Sequence, residues 1–197
     1  MRAAARFCTS AVTYGLADLG PELGQARSLD DLSPLPRAIV GALLSADILI
    51  VGSPVYKGSY PGLFEHLFDL IDPSALLGKP VLLTATGGGD KHALVIEHQL
   101  RPLFGFFEAA TLATGVYAST ADFSDGVPSS ASLLASTDRA VDQFQPWLGR
   151  TPPPKQPDPD PLHPQPKPIP PDRVNRSMPE SKCQMTKHET FTAAIFL

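Results

Sequence analysis

Two uninterrupted apolar runs limit what this chain can fold into. "DILIVGS" occupies residues 47–53 and "KPVLLTAT" occupies 79–86. Neither alternates polar with apolar positions, so neither suits a sheet with one wet face. Both read as strands covered on both sides. Between them, "GLFEHLFDLI" has helical spacing and is expected to bury Leu63, Leu67, Leu70 and Ile71. Upstream, "LPRAIVGALLSA" places Ile39, Leu43 and Leu44 on one helical face. Strands separated by helices predict an α/β protein, a parallel sheet with helices on both faces.

The remainder of 1–149 continues the alternation. "AVTYGLADL" starts as a short strand, and "TLATGVYAS" reads as another. "KHALVIEHQLRPLFGFFEAA" is a long helical stretch in which Pro102 implies a kink or a bulge. A last helix in "SSASLLASTDRAVDQFQPWL" is expected to be capped by Ser129 or Ser130. After Gly149 the composition changes. Crowded prolines remove backbone donors and fix φ, so residues 150–197 are expected to form a disordered, partly polyproline-like tail. The Pro-x-x-P spacings there also fit an SH3-type ligand, and the apolar end "FTAAIFL" reads equally as a docking segment or as an accidental extension.

A net charge of -4 argues against a nucleic-acid binder, which normally presents a basic face. Cys8 and Cys183 are far apart and in unlike contexts, which favours reduced thiols over a disulfide. No apolar run approaches the roughly 20 residues that span a bilayer. "MRAAARFCTSAV" lacks the apolar centre of a signal peptide. The expected location is cytoplasmic.

In parallel sheets, ligands bind beyond the carboxyl ends of the strands. That rule singles out two segments, "GSPVYKGSY" and "ATGGGDKH". In the first, Pro54 stiffens the strand exit and Val55 and Tyr56 offer a flat apolar surface. Lys57 and Ser59 add donors at its edge. The mixture suits a planar ligand with a polar rim. In the second, Thr86, Gly87, Gly88 and Gly89 form a turn where backbone amides can come close to a ligand. It is neither a Walker loop nor a Gly-x-Gly-x-x-Gly fingerprint. A tight strand-to-helix turn with no ligand explains the glycines equally well at this point.

"SPVYKGSYPGLFEHLFDL", "GKPVLLTATGGGDKHAL" and "HQLRPLFGFFEAATLATGVYA" resemble, in order, the NADPH-dependent FMN reductases of two-component sulfonate monooxygenase systems. The likeness is greatest to the methanesulfonate and alkanesulfonate branch and runs over about residues 16–123. It implies a flavodoxin-like fold, reduction of FMN to FMNH2 by NADPH, and delivery of the product to a partner monooxygenase. It also implies a homodimer or homotetramer with the Phe104, Phe106 and Phe107 helix at the interface. By this resemblance Pro54, Val55, Tyr56, Lys57 and Ser59 border the flavin. Thr86, Gly87, Gly88 and Gly89 lie along the pyrimidine side of its ring, where the amides of the three glycines stabilise the reduced form.

Two departures from the family stand out. Relatives begin with an apolar strand and a Ser/Thr/Arg-rich phosphate loop, for which the first residues of this chain offer only "CTS" at Cys8–Ser10. The expectation is therefore a sheet lacking its first strand, with two exposed strand edges, in a truncated or frame-shifted product. The second departure is Glu65, where relatives carry lysine. Hydride transfer between nicotinamide and flavin needs few side chains, so no catalytic acid or base is assigned. His66 and His98 are read as packing or interface residues, His92 is the histidine nearest the glycine turn, and no metal site is expected. Two other functions remain open at this stage. One is an FMN-bound quinone or azo reductase, and the other is a non-catalytic flavodoxin-like fragment.

Overall fold

The computed structural model describes residues 10–147 and 192–196. Strand β1 (Ser10–Tyr14) leads through three short 3-10 turns to helix α1 (Pro34–Ser45). Strand β2 (Ile48–Pro54), helix α2 (Gly62–Asp69) and strand β3 (Pro80–Gly87) follow, as the apolar runs predict. Beyond β3 come a 3-10 turn (Asp90–His92), a π-helical turn (Ile96–Leu100) and helix α3 (Arg101–Phe106). Two short strands, β4 (Ala110–Thr111) and β5 (Val116–Ser119), both pair with β3. A small hairpin of β6 (Phe123–Ser124) and β7 (Val127–Pro128) precedes helix α4 (Ala131–Asp142). Strand β8 is Thr192–Phe196.

The sheet runs β1-β8-β2-β3-β4, with every pairing parallel. Both faces of β2 and β3 are buried, and the alternation along these two strands shows it. Leu49 and Val51 of β2, with Val81, Leu83 and Ala85 of β3, join the core that includes Ile39, Val40 and Leu43 of α1 and Phe64, Leu67 and Phe68 of α2. Ile48 and Leu82 point to the opposite face, against Leu133, Ala140, Val141 and Phe144 from α4 and its exit. A strand greasy at every position is one that has two cores to fill. At the far end of α4, the Ser130 hydroxyl accepts from the Leu133 amide at 3.3 Å, the cap expected there.

The spatial order corresponds to the flavodoxin-like 2-1-3-4-5 arrangement, with one substitution of origin. Its second position, normally the first strand in chain order, is held by β8. The expected gap in the sheet is therefore absent. Thr192–Phe196 pairs with Ser10–Tyr14 on one side, and its last four residues face Ile48, Leu49, Ile50 and Val51 in register on the other, from Ala193↔Ile48 to Phe196↔Val51. The placement of all of 150–197 in a tail does not hold for this segment. Two flanking strands with unpaired N–H and C=O groups form a strong acceptor for any extended apolar segment that can reach. The other residues of that tail lie outside those described, as do Met1–Thr9 with Cys8.

One further expectation needs adjusting. In α2 the buried stripe is Phe64, Leu67, Phe68 and Ile71, while Leu63 is 40 % exposed and Leu70 only half-buried. The larger rings win the inward face because they build an aromatic series, tilted within α2 and edge-to-face against Phe104 of α3. Phe68 stands 4.9 Å from Phe64 and 4.9 Å from Phe104, centroid to centroid. The long helix around Pro102 is broken into the π-helical turn and α3, with Pro102 in the first turn of α3. A proline lacks the N–H that a continuing α-helix would use, and the wider π turn absorbs the mismatch. No helix among the described residues is long and apolar enough to cross a membrane.

Candidate functional site

Because β2 and β3 are adjacent and parallel, the segments leaving their carboxyl ends start from one rim. The register pairs Pro54 with Thr86, and the Val55 amide donates to the Thr86 carbonyl at 2.7 Å. The two turns singled out from the sequence therefore stand side by side, joined by a backbone hydrogen bond.

The first turn is a closed four-residue hairpin. Tyr56 N–H donates to the Ser59 carbonyl at 2.8 Å, and Ser59 N–H returns to the Tyr56 carbonyl at 3.1 Å. Its central residues both have positive φ, 55° at Lys57 and 84° at Gly58, the geometry of a type I′ turn. The consequence is positional. Pro54, Tyr56 and Lys57 are thrust to the surface, with Tyr56 63 % exposed, while Val55 stays half-buried against the core. Ser59 faces sideways, its hydroxyl donating to Gln99 Oε1 of the π turn at 3.3 Å. Tyr60 closes the segment. Its ring lies against Phe64 and its hydroxyl donates to Glu65 at 3.4 Å. Burial, with the Glu65 charge second, pushes the Tyr60 phenol above the usual tyrosine range.

The second turn has a different construction. A Cβ at Gly88 or Gly89 would meet nothing within 4 Å, so open space faces both residues. Gly87 is the crowded one. A Cβ there would stand 2.3 Å from the Tyr117 hydroxyl oxygen. Tyr117 comes from β5, in register with Ala85, and its hydroxyl donates to the Gly89 carbonyl at 2.6 Å. Burial, with Asp90 second, raises its phenol above the ordinary value, so it remains a donor at neutral pH.

A third segment enters this rim from β5. Ser119 pairs with Gly87 in register and is itself buried. Its amide donates to Asp122 Oδ2 at 2.8 Å, and its hydroxyl contacts the same oxygen at 3.1 Å. These bonds, the backbone donor of Ser119 first and Ser130 next, hold the Asp122 carboxyl below the usual aspartate range. On the opposite side of the π turn, Arg101 grips Glu97 at 2.6 and 2.8 Å and also donates to Thr111 Oγ1 and the Leu112 carbonyl. That clamp ties the helix carrying Gln99 to the β4–β5 connection.

All nine residues singled out from the sequence sit on these two turns, which are adjacent. Tyr117, Gln99, Ser119 and Asp122 were missed. Ser119 and Asp122 had a signal, the Ser-x-x-Asp spacing of a capping box. Tyr117 and Gln99 had none, because only the parallel register and the π turn bring them to the rim. Among the histidines, His92 is half-buried just after the glycine turn and His98 is exposed, while the Nε2 of half-buried His66 is enclosed without a hydrogen-bond partner. Two surface hollows, one lined by Pro21, Glu22 and Asp31 and another by Leu112, Gln143 and Trp147, share no residue with this rim.

Comparison with known proteins adds the family. The profile of a family described as NADPH-dependent FMN reductase matches residues 3–123. The chain is 52% identical over 134 residues to the NADH-dependent FMN reductase SfnF of Pseudomonas fluorescens, covering 68% of this chain and 72% of that protein. It is 50% identical over 134 residues to an FMN reductase (NADPH) of Pseudomonas aeruginosa, with the same coverage. Among solved structures, an oxidoreductase from Corynebacterium diphtheriae superposes with a TM-score of 0.66 at 34% identity, covering 75% of this chain and 81% of that one. The profile spans the rim formed by β2, β3 and β5, and with these relatives it shows that the chain is a member of the NADPH-dependent FMN reductase family.

Proposed function

We propose that this chain reduces FMN to FMNH2 with NADPH or NADH and passes the product to a sulfonate monooxygenase. The observation that carries the reading is the Val55–Thr86 hydrogen bond, which sets the aromatic turn and the glycine turn against one rim. The rim fits a flat heterocycle on two counts. Open space faces Gly88 and Gly89, and an exposed tyrosine stands on the adjoining turn. Pro54, Val55 and Tyr56 would form an apolar wall, Lys57 and Ser59 its polar border, and Thr86, Gly87, Gly88 and Gly89 the low side. Bound FMN supplies the hydride-accepting chemistry, and the protein's part is stacking, orientation and donors near the ring.

Delivery to a sulfonate monooxygenase is supported by the similarity to SfnF of Pseudomonas fluorescens, and a homodimer or homotetramer by apolar surface on the α3 side. Leu94 is 64 % exposed and Phe106 is 68 % exposed, values that fit a face covered by a second copy. The test is anaerobic turnover of free FMN by the purified chain, followed at the flavin and nicotinamide absorbance bands. Catalytic loss of both bands is expected with either nucleotide. Tightly held flavin with quinone turnover would replace this reading by that of a quinone reductase. Failure to bind flavin or oxidise nicotinamide would leave a non-catalytic member of the family.

A further inference from the structure

We propose that Tyr117 is a positioning residue that sets the orientation of the triple-glycine turn and, through it, the donor offered to the flavin ring. The inference rests on the flavin reading of the rim for its second half only. Its geometric half is independent. Ala85 and Gly87 are two residues apart on β3 and so lie on one face of the pleat, and Tyr117 is in register with the first of them. The Tyr117 side chain leans toward the carboxyl end of the strands and passes over Gly87 to reach Gly89. The passage exists because Gly87 has no side chain, since a Cβ would lie 2.3 Å from the hydroxyl oxygen and 3.2 Å from ring atom Cζ. Gly87 is thus needed by a protein ring, whereas Gly88 and Gly89 face open space.

The hydrogen bond has a directional result. A trans peptide holds its C=O and N–H antiparallel within one plane. Anchoring the Gly89 carbonyl on Tyr117 at 2.6 Å turns the N–H of Asp90 to the other side of the turn, away from the tyrosine. A donor so fixed suits the acceptor atoms on the pyrimidine edge of an isoalloxazine ring, and it needs no reorganisation when the ring arrives. Without the phenol oxygen the peptide can rotate, and the donor is no longer aimed.

Tyr117→Phe in the full-length chain separates orientation from packing, because the ring stays and only the oxygen is lost. Hydrogen exchange in residues 87–92 should rise several-fold, while β2 and the body of β3 keep their protection. The KM for FMN should rise about 3- to 10-fold, the range one net hydrogen bond spans, with the KM for nicotinamide nucleotide and the Tm nearly unchanged. Gly87→Ala should reproduce the exchange effect from the other side by displacing the ring. Unchanged exchange in 87–92 for Tyr117→Phe overturns the positioning role, whatever the chain's activity. Raised exchange with an unaltered KM for FMN overturns the link to the ligand. If the unsubstituted chain neither binds nor reduces FMN, the flavin reading fails, and the exchange result alone decides whether Tyr117 holds the turn.

Discussion

Lys57 carries a backbone conformation that side chains with a Cβ adopt at a cost of about 1 kcal/mol, and the type I′ turn makes it unavoidable. Such costs persist where surrounding structure over-determines them, and they concentrate at functional sites. Lys57→Gly should relieve the left-handed strain and leave stability within about 1 kcal/mol of the parent by urea denaturation. FMN binding should weaken in the same variant, because a cationic donor leaves the rim. Stability that falls steeply would instead mean that the lysine packs. Phe64 makes the opposite case. It is 1 % exposed at the centre of the aromatic series, so Phe64→Ala should cost about 3–5 kcal/mol whether or not flavin is present. Individual residues on the two turns could be read from the sequence because strand ends and turn formers announce themselves. Tyr117 could not, since its role depends on a neighbour 28 positions earlier and on the absence of a side chain at Gly87.

At the scale of elements, continuous apolar runs identified β2 and β3, and helical spacing identified α1, α2 and α4. Spacing alone misjudged which side of α2 is buried. Leu63 and Phe64 are equally apolar by count, and volume decides which one fills the space beside Phe68. The proline signal was correct in kind, since it marks a π turn beside α3. The β5 terminus gives a pH prediction. Asp122 has a lowered pKa because Ser119 donates to the carboxylate, so its contribution is present above the ordinary aspartate value of 3.8 and is lost as the pH falls through its folded value. The Tm difference between the parent and Asp122→Asn should be constant near neutrality and close in acid. A difference that persists well below that value would place the effect elsewhere. The short β8 can be tested on its own. Ala194 sits between Val12 and Leu49 in register, and a proline in a central strand removes a ladder donor. Ala194→Pro should cost about 3 kcal/mol or more and raise hydrogen exchange in both flanking strands. Full protection of residues 10–14 and 48–51 in that variant would show that β8 does not occupy the seat.

For the whole molecule, the alternation of strand and helix was enough to indicate a doubly covered parallel sheet, and three motifs in order indicated the family. The source of the central strand was not legible. A five-residue apolar segment after a proline-rich stretch has no periodicity of its own, and only the two vacant strand edges give it a place. Residues 148–191, 44 in number, separate it in sequence from the other described residues. That topology bears on biosynthesis. β2 leaves the ribosome roughly 140 residues before β8 is made, a delay of about 7–28 s at ordinary elongation rates. Throughout that interval the nascent protein holds a cleft in the middle of its sheet, open to any extended peptide nearby, including those on neighbouring polysomal chains. Translation speed over the proline tract thereby becomes a determinant of how much of the product ends with its sheet correctly closed and how much as aggregate.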